Sequence, residues 1–409
     1  MRPILIPEYL GEFSCIGSAC EDTCCAGWKV TVDKKTYQTY RKVRQPEIAE
    51  KLDKFVKRER KQSNENNYAK FVLKENSKCS MLLEDGLCTI HKELGEEYLC
   101  NTCFIYPRHL SRVGQMVEKS LTLSCPEATR IVLLQKEGIG FLETEEPKNT
   151  RGLISHELNL EKYPYFWDLR VFTIQLLQSR QQPLEIRLII LGLFIQKIDQ
   201  VKSKELEKNL SAIMQDYLAR LDNEEYIASL KDIKGNLSFQ VNLVQELIRY
   251  RLSTGGAFTK YTDILKQMVD GLGLEDLSQE QDKKQYNMQK VASNYYKALT
   301  NIYRPFIEKN EYMLENYAVN YIFKNLFPYE YDTLFESYAM LVVHFALIKL
   351  HLLGMSASQQ QLTQEMVVEC VQQLSKTIEH NPVYLKGVRD GMNRSGFNTM
   401  GHMFVMINS

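Results

Sequence analysis

From about Pro126 to the end of the chain, apolar residues recur at helical spacing, while the first 125 residues sustain no such period. The pattern predicts a helix over residues 127–137, entered through Pro126, a favoured first-turn residue. Further helices are predicted over 166–179, 183–202, 205–223, 240–252, 261–270, 283–303, 312–324, 331–353 and 358–380. Residues 138–148 read as a linker, and Gly255-Gly256 and residues 271–276 as breaks. Upstream, residues 33–61 read mainly as helix broken at Pro46, with Lys57-Arg58-Glu59-Arg60-Lys61 as its solvated basic end. Residues 62–67 read as a loop. Residues 68–73 read as a short strand, because Tyr68, Phe71 and Val72 favour a pleated surface. No fixed-period repeat is present. The expected architecture is mostly α: a small Cys-rich, metal-organised N-terminal domain (residues 1–137) packed on a larger all-helical domain (residues 150–409).

At 409 residues the chain can bury a sizeable core without covalent staples. Its 51 basic and 51 acidic residues cancel, which argues against broad electrostatic binding of nucleic acid or of an anionic membrane. The opening residues MRPILIPEYLGEF lack the charge and apolar run of a secretory signal. Residues 188–195 are too short to span a bilayer, and 338–353 are interrupted by His344, Lys349 and His351. The expectation is a cytoplasmic protein with reduced thiols and no transmembrane segment. Peripheral membrane contact and oligomeric state stay open.

Candidate chemistry is concentrated in the cysteines. Nine of ten lie in the first 125 residues, as Cys15-x4-Cys20-x3-Cys24-Cys25, Cys79-x8-Cys88, Cys100-x2-Cys103 and Cys125. A disulfide framework fits poorly: the number is odd, adjacent Cys24 and Cys25 do not readily bridge, and no export signal precedes them. Structural zinc and an iron–sulfur cluster remain. Only Cys100-x2-Cys103 has the usual zinc-knuckle spacing, and the excess of sulfur over histidine tilts toward a cluster. His91 and His109 lie nearby as ligands or as donors to ligands.

Other chemistries find no motif. Gly138-Ile139-Gly140 and Gly271-Leu272-Gly273 lack a third glycine and a preceding strand, which argues against a Rossmann core. No C-x3-C-x2-C run, P-loop or Ser/His/Asp set stands out.

In combination these motifs resemble the flagellin lysine-N-methylase family, part of a wider group named for a CxxCxxCC motif. The resemblance rests on residues 15–28 with Asp33, Cys79 with Gly86-Leu87-Cys88, Cys103-x3-Pro107-Arg108 and Ser124-Cys125-Pro126-Glu127. Downstream it includes Tyr165-Phe166-Trp167-Asp168-Leu169-Arg170, residues 187–194, and Glu315-Asn316-Tyr317 through Phe327-Pro328. It implies an enzyme that uses S-adenosylmethionine to N-methylate surface lysines of flagellin, with a [4Fe–4S] cluster held by the Cys-rich region. Here C-x4-C-x3-CC replaces the general spacing. The ligand pool is then Cys20, Cys24, Cys25, Cys79, Cys88, Cys103 and Cys125, with Cys15 close behind and Cys100 the spare. Trp28, Tyr106 and Arg108 flank the cysteines and are candidates for the cofactor pocket. No catalytic residue is assigned. Methylation requires a neutral ε-amine and a held sulfonium, which aromatic faces or carboxylates favour. The alternative is a protein with structural zinc whose helical half is an interaction scaffold and which is not an enzyme.

Overall fold

The computed structural model describes residues 1–27, 30–61, 63–74, 78–201, 203–233, 235–255, 259–274 and 288–408. Trp28 and the first part of the helix expected over 283–303 lie outside them. The chain divides into two compact units. The first joins Met1–Ile131 to Phe141–Glu157, and the second comprises Val132–Gly140, Leu158–Gly255 and Thr259–Ser409.

The first unit is built on two sheets. Strands β1 (Arg2–Pro7), β5 (Arg108–Val113), β6 (Met116–Leu121), β7 (Phe141–Glu146) and β8 (Ile154–Leu158) form a sheet in the order β7-β1-β6-β5-β8. The other is an antiparallel sheet of β2 (Thr31–Val32), β3 (Val56–Arg58) and β4 (Ala69–Phe71), in the order β2-β4-β3. In the larger sheet β1 runs parallel to β6, with Ile4 opposite Val117, and antiparallel to β7. Gly114, at φ +56°, takes the first position of the two-residue β5–β6 turn, a conformation other residues adopt only under strain. Glu146, at the end of β7, accepts from Arg2 Nε and Nη2 at 2.9 and 2.7 Å and also pairs with Lys119, so one carboxylate ties three neighbouring strands together.

Two sequence expectations change here. Residues 138–148, read as a linker, contain β7. Its sequence FLETEE has no apolar alternation, because it is an edge strand with four consecutive exposed positions, and its glutamates discourage edge-to-edge pairing. The basic end of the predicted helix is instead β3: the helix Pro46–Phe55 stops, and Lys57 and Arg58 pair with Lys70 and Ala69. The expected strand over 68–73 is present as β4.

The second unit is helical, as its periodicity implies. Its helices are Phe166–Leu177, Leu184–Gln200, Ser203–Ala219, Glu224–Lys231, Leu237–Ser253, Thr259–Leu272, Met288–Ala298, Arg304–Asn310, Tyr312–Lys324, Leu334–Gln359, Gln364–Leu374, Pro382–Ser395 and Met400–Ile407. The stretch predicted as one helix over 358–380 breaks at Gln360, which is left-handed, and restarts under a Thr363 cap. Widened π turns follow at Leu299–Tyr303 and Ser375–Glu379. The helix Leu334–Gln359 is long and apolar enough to cross a bilayer, yet it is wholly buried from Glu336 to Ser356. Two of its buried polar side chains are held by protein partners: Lys349 Nζ donates to Ile407 O at 2.8 Å, and His351 Nε2 lies 3.2 Å from the Tyr261 hydroxyl. It is therefore the unit's central core helix. Thr259–Leu272 lies against it at glycine contacts: a Cβ on Gly271 would sit 2.0 Å from the Gly354 carbonyl. The chain is mostly α overall, and neither sheet of the first unit is the open parallel sheet of a doubly wound fold.

Candidate functional site

The small sheet's core already contains sulfur. Val30, Val32, Tyr40, Ile48, Leu52, Val56, Phe71, Met81 and Ile90 pack with buried Cys79 and Cys100, and with the partly buried Cys25, Cys88 and Cys103. Asp33 begins this arrangement. One carboxylate oxygen caps the helix Lys34–Tyr40 by accepting from Thr36 N at 2.9 Å, and the other accepts from Asn101 N at 3.0 Å, next to Cys100.

Tight turns then bring the remaining thiols in. Gly17 (φ +59°) and Gly86 (φ +82°) carry turns that face each other, with the Cβ direction of Gly86 pointing at Ser18 Cα. Cys79 N donates to Cys25 O at 2.7 Å, which sets residues 24–25 beside Cys79. Cys88 and Cys100 are the N-cap residues of the short helices Thr89–Leu94 and Asn101–Ile105, and Cys125 directly precedes the helix Pro126–Leu133. The result is a cavity of about 360 Å3 lined by all nine early cysteines: Cys15, Cys20, Cys24, Cys25, Cys79, Cys88, Cys100, Cys103 and Cys125. Every one is a free thiol.

Two opposing influences act on these sulfurs. Burial raises the pKa of Cys20 and Cys88, and pushes Cys79 to about 11 and Cys125 to about 12. For Cys25 the hydrogen bond with Cys24 is the leading cause of a rise, followed by burial; for Cys103 it is the bond with Cys100, followed by burial. The same Cys103 contact draws Cys100 below the ordinary thiol value. Against burial, backbone N–H groups meet several sulfurs: Met81 at Cys79, Ile90 and His91 at Cys88, Cys103 at Cys100, and Glu127 and Ala128 at Cys125. Such donors favour thiolate, the form that binds metal. Among the described residues, no three Cys, His, Asp or Glu side chains stand at metal-binding spacing, so the thiols share a cavity without yet forming a closed ligand shell.

The predicted residues distribute as follows. Cys100, expected as the spare, lines the cavity with the rest and contacts Cys103; its CxxC spacing was the signal for this. Tyr106 and Arg108 also line it. The Tyr106 hydroxyl lies 3.1 Å from Ser124 Oγ, and the Arg108 guanidinium sits 5.2 Å from the centre of the Phe13 ring. His91 is in the wall, whereas His109 stacks on His156 with ring centres 5.2 Å apart. Phe13, Tyr40, Phe71 and Phe104 complete an aromatic lining that no motif announced.

Comparison with known proteins adds the following. Residues 170–406 match the model of the FliB lysine N-methylase C-terminal domain. The chain is 26% identical over 356 residues to the lysine-N-methylase of Salmonella typhimurium, covering 84% of each protein, and matches that of Salmonella choleraesuis equally. It is 36% identical over 138 residues to the flagellar biosynthetic protein FliU of Salmonella muenchen, covering 34% of this chain and 80% of that one. No solved structure matches.

Proposed function

Because the chain belongs to the FliB lysine N-methylase family, we propose that it is a cytoplasmic enzyme that moves methyl groups from S-adenosylmethionine to lysine side chains of flagellin, and that its thiol-lined cavity holds a [4Fe–4S] cluster. The observation that carries the reading is the gathering of nine thiols around one cavity, within a family named for lysine methylation. The donor set suits the cluster. Soft thiolates select iron–sulfur or zinc over hard cations, and clusters are held by cysteine. Cys20, Cys24, Cys25, Cys79, Cys88, Cys103 and Cys125 would hold it, with Cys15 and now Cys100 in the same pool.

When bound, the cluster supplies a fixed charge and a redox-capable iron centre inside this unit. The chain's own residues do the rest. N–H groups at the starts of the helices after Cys88, Cys100 and Cys125 favour the anionic form of sulfur against burial, and aromatic side chains line the cavity beside it. The acceptor lysine must lose its proton before it can attack, which a desolvated site favours.

The test is direct. Anaerobically purified protein is incubated with S-adenosylmethionine and monomeric flagellin, and flagellin peptides are weighed. The proposal expects lysine peptides heavier by whole methyl groups; no mass gain from metal-loaded protein would refute it. Zinc in stoichiometric amount, with no absorption near ~400 nm from sulfide-to-iron charge transfer, would identify the site as structural zinc instead.

A further inference from the structure

The second unit has a cavity of its own, of about 480 Å3, within the usual range of roughly 300–1,000 Å3 for small-molecule sites. Its walls come from residues 180–183 and the start of Leu184–Gln200, the end of Glu224–Lys231, the π turn Leu299–Tyr303 running into Arg304–Asn310, and Lys349 on the central helix. Pro305 explains the π turn. It has no N–H to donate back along the helix, so the preceding turn widens. Tyr303, the last residue of that turn, lines the cavity, where it is buried and its hydroxyl has no hydrogen-bond partner. An orphaned buried phenol is destabilising unless something bound there completes it.

The groups around Tyr303 carry both signs. Glu185 lies 3.4 Å from the buried Lys349 ammonium, a long contact that leaves the carboxylate with capacity to accept more. Glu311 is engaged by Arg187 and by Leu184 N, so it contributes charge and no free oxygen. The exposed Lys231 and Arg304 also line the cavity, and Ile186, Leu299 and Ile307 give it apolar walls. The cations of the lining, Arg180, Lys231, Arg304 and Lys349, are nearly balanced by Glu185, Glu308 and Glu311, so a polyanion such as a nucleotide phosphate would find no strong excess of positive charge. A purely apolar ligand would leave the Tyr303 hydroxyl without a partner. The lining suits a compact zwitterion that has ammonium and hydroxyl donors, one carboxylate and a flat apolar part.

We propose that this cavity of the helical unit binds S-adenosylmethionine, with Tyr303 and Glu185 accepting from its ammonium or ribose hydroxyls, Arg304 or Lys231 meeting its carboxylate, and Ile186, Leu299 and Ile307 covering its adenine. This rests on the proposed methyl donor, and it places that donor in the family-matched helical region in place of the Tyr106–Arg108 wall of the thiol cavity. Carboxylates near the sulfonium would favour its charge, as methyl-donor binding requires.

The experiment is calorimetric titration of full-length, metal-loaded protein with S-adenosylmethionine. It compares wild type with Tyr303→Phe, Glu185→Gln, Arg304→Gln and Tyr106→Phe, after far-UV melting has shown each variant folded. Arg304 is exposed, so Arg304→Gln tests the site without disturbing buried groups. The proposal expects Tyr303→Phe and Glu185→Gln to weaken binding about tenfold or more each, Arg304→Gln severalfold, and Tyr106→Phe not at all. Wild-type affinity in the first three variants, or a loss confined to Tyr106→Phe, overturns it while leaving the methylation reading intact. Wild-type protein that binds no S-adenosylmethionine overturns both.

Discussion

One glycine-to-alanine change should unfold the helical unit more easily, and another should stabilise it, for reasons visible in the packing. A Cβ on Gly354 would lie 2.6 Å from Met268 Cα and 2.7 Å from Met268 O. These are backbone atoms of the helix Thr259–Leu272, so no side-chain rotation relieves the contact. Carbon atoms pack at about 3.5–4.0 Å, so the two helices must part by about 1 Å and lose close contacts along the seam. Overpacking of this kind costs about 3 kcal/mol, and alanine's better helix propensity returns about 1, for a net loss near 2 kcal/mol. Gly391, within the helix Pro382–Ser395, has nothing within 4 Å of its Cβ position, so only the propensity gain of about 1 kcal/mol remains there. In a unit of this size the expected shifts are about 4–8 °C downward for Gly354→Ala and about 2–4 °C upward for Gly391→Ala, read by far-UV melting or calorimetry. Equal melting temperatures, or a Gly391→Ala variant as labile as Gly354→Ala, would refute the close helix contact.

Other outcomes follow from the same structure. Cys24→Ser or Cys103→Ser should lose bound iron and activity together, whereas Cys370→Ser, in the core of the helical unit, should keep its metal; full iron content in both of the first two would remove them from the ligand pool. Burial holds His344 and His351 near pKa 4, below the unfolded value of about 6.5. The unfolded chain therefore binds more protons between those values. Stability should be complete above pH 6.5 and fall progressively toward pH 4, by up to about 3 kcal/mol per histidine. Denaturant midpoints across that window check this, and a slope unchanged in His351→Gln would contradict it.

Sequence and structure agree where periodicity is long and part company where it is short. Helices such as Tyr312–Lys324 and Leu334–Gln359 were legible because an apolar pattern persists over several turns. The larger sheet was not. Its β1, RPILIP, is a brief apolar run bounded by prolines, and its β7 is an acidic edge with little to bury. Cysteine spacing announced a shared centre, and the structure gathers all nine thiols, including Cys100, whose CxxC spacing with Cys103 was the signal against treating it as the spare. The helical cavity was illegible for another reason: Glu185, Tyr303 and Lys349 come from separate helices, each locally an ordinary helical residue, and only tertiary packing with the π turn before Pro305 brings them together.

The most direct test of the central claim follows a labelled methyl group. Protein stripped of metal, protein reconstituted with iron and sulfide, and protein loaded with zinc are each given S-adenosylmethionine carrying a deuterated methyl group, together with flagellin. The account predicts labelled methyl on flagellin lysines with the iron–sulfur form alone. Equal labelling by the stripped or zinc-loaded protein would contradict it.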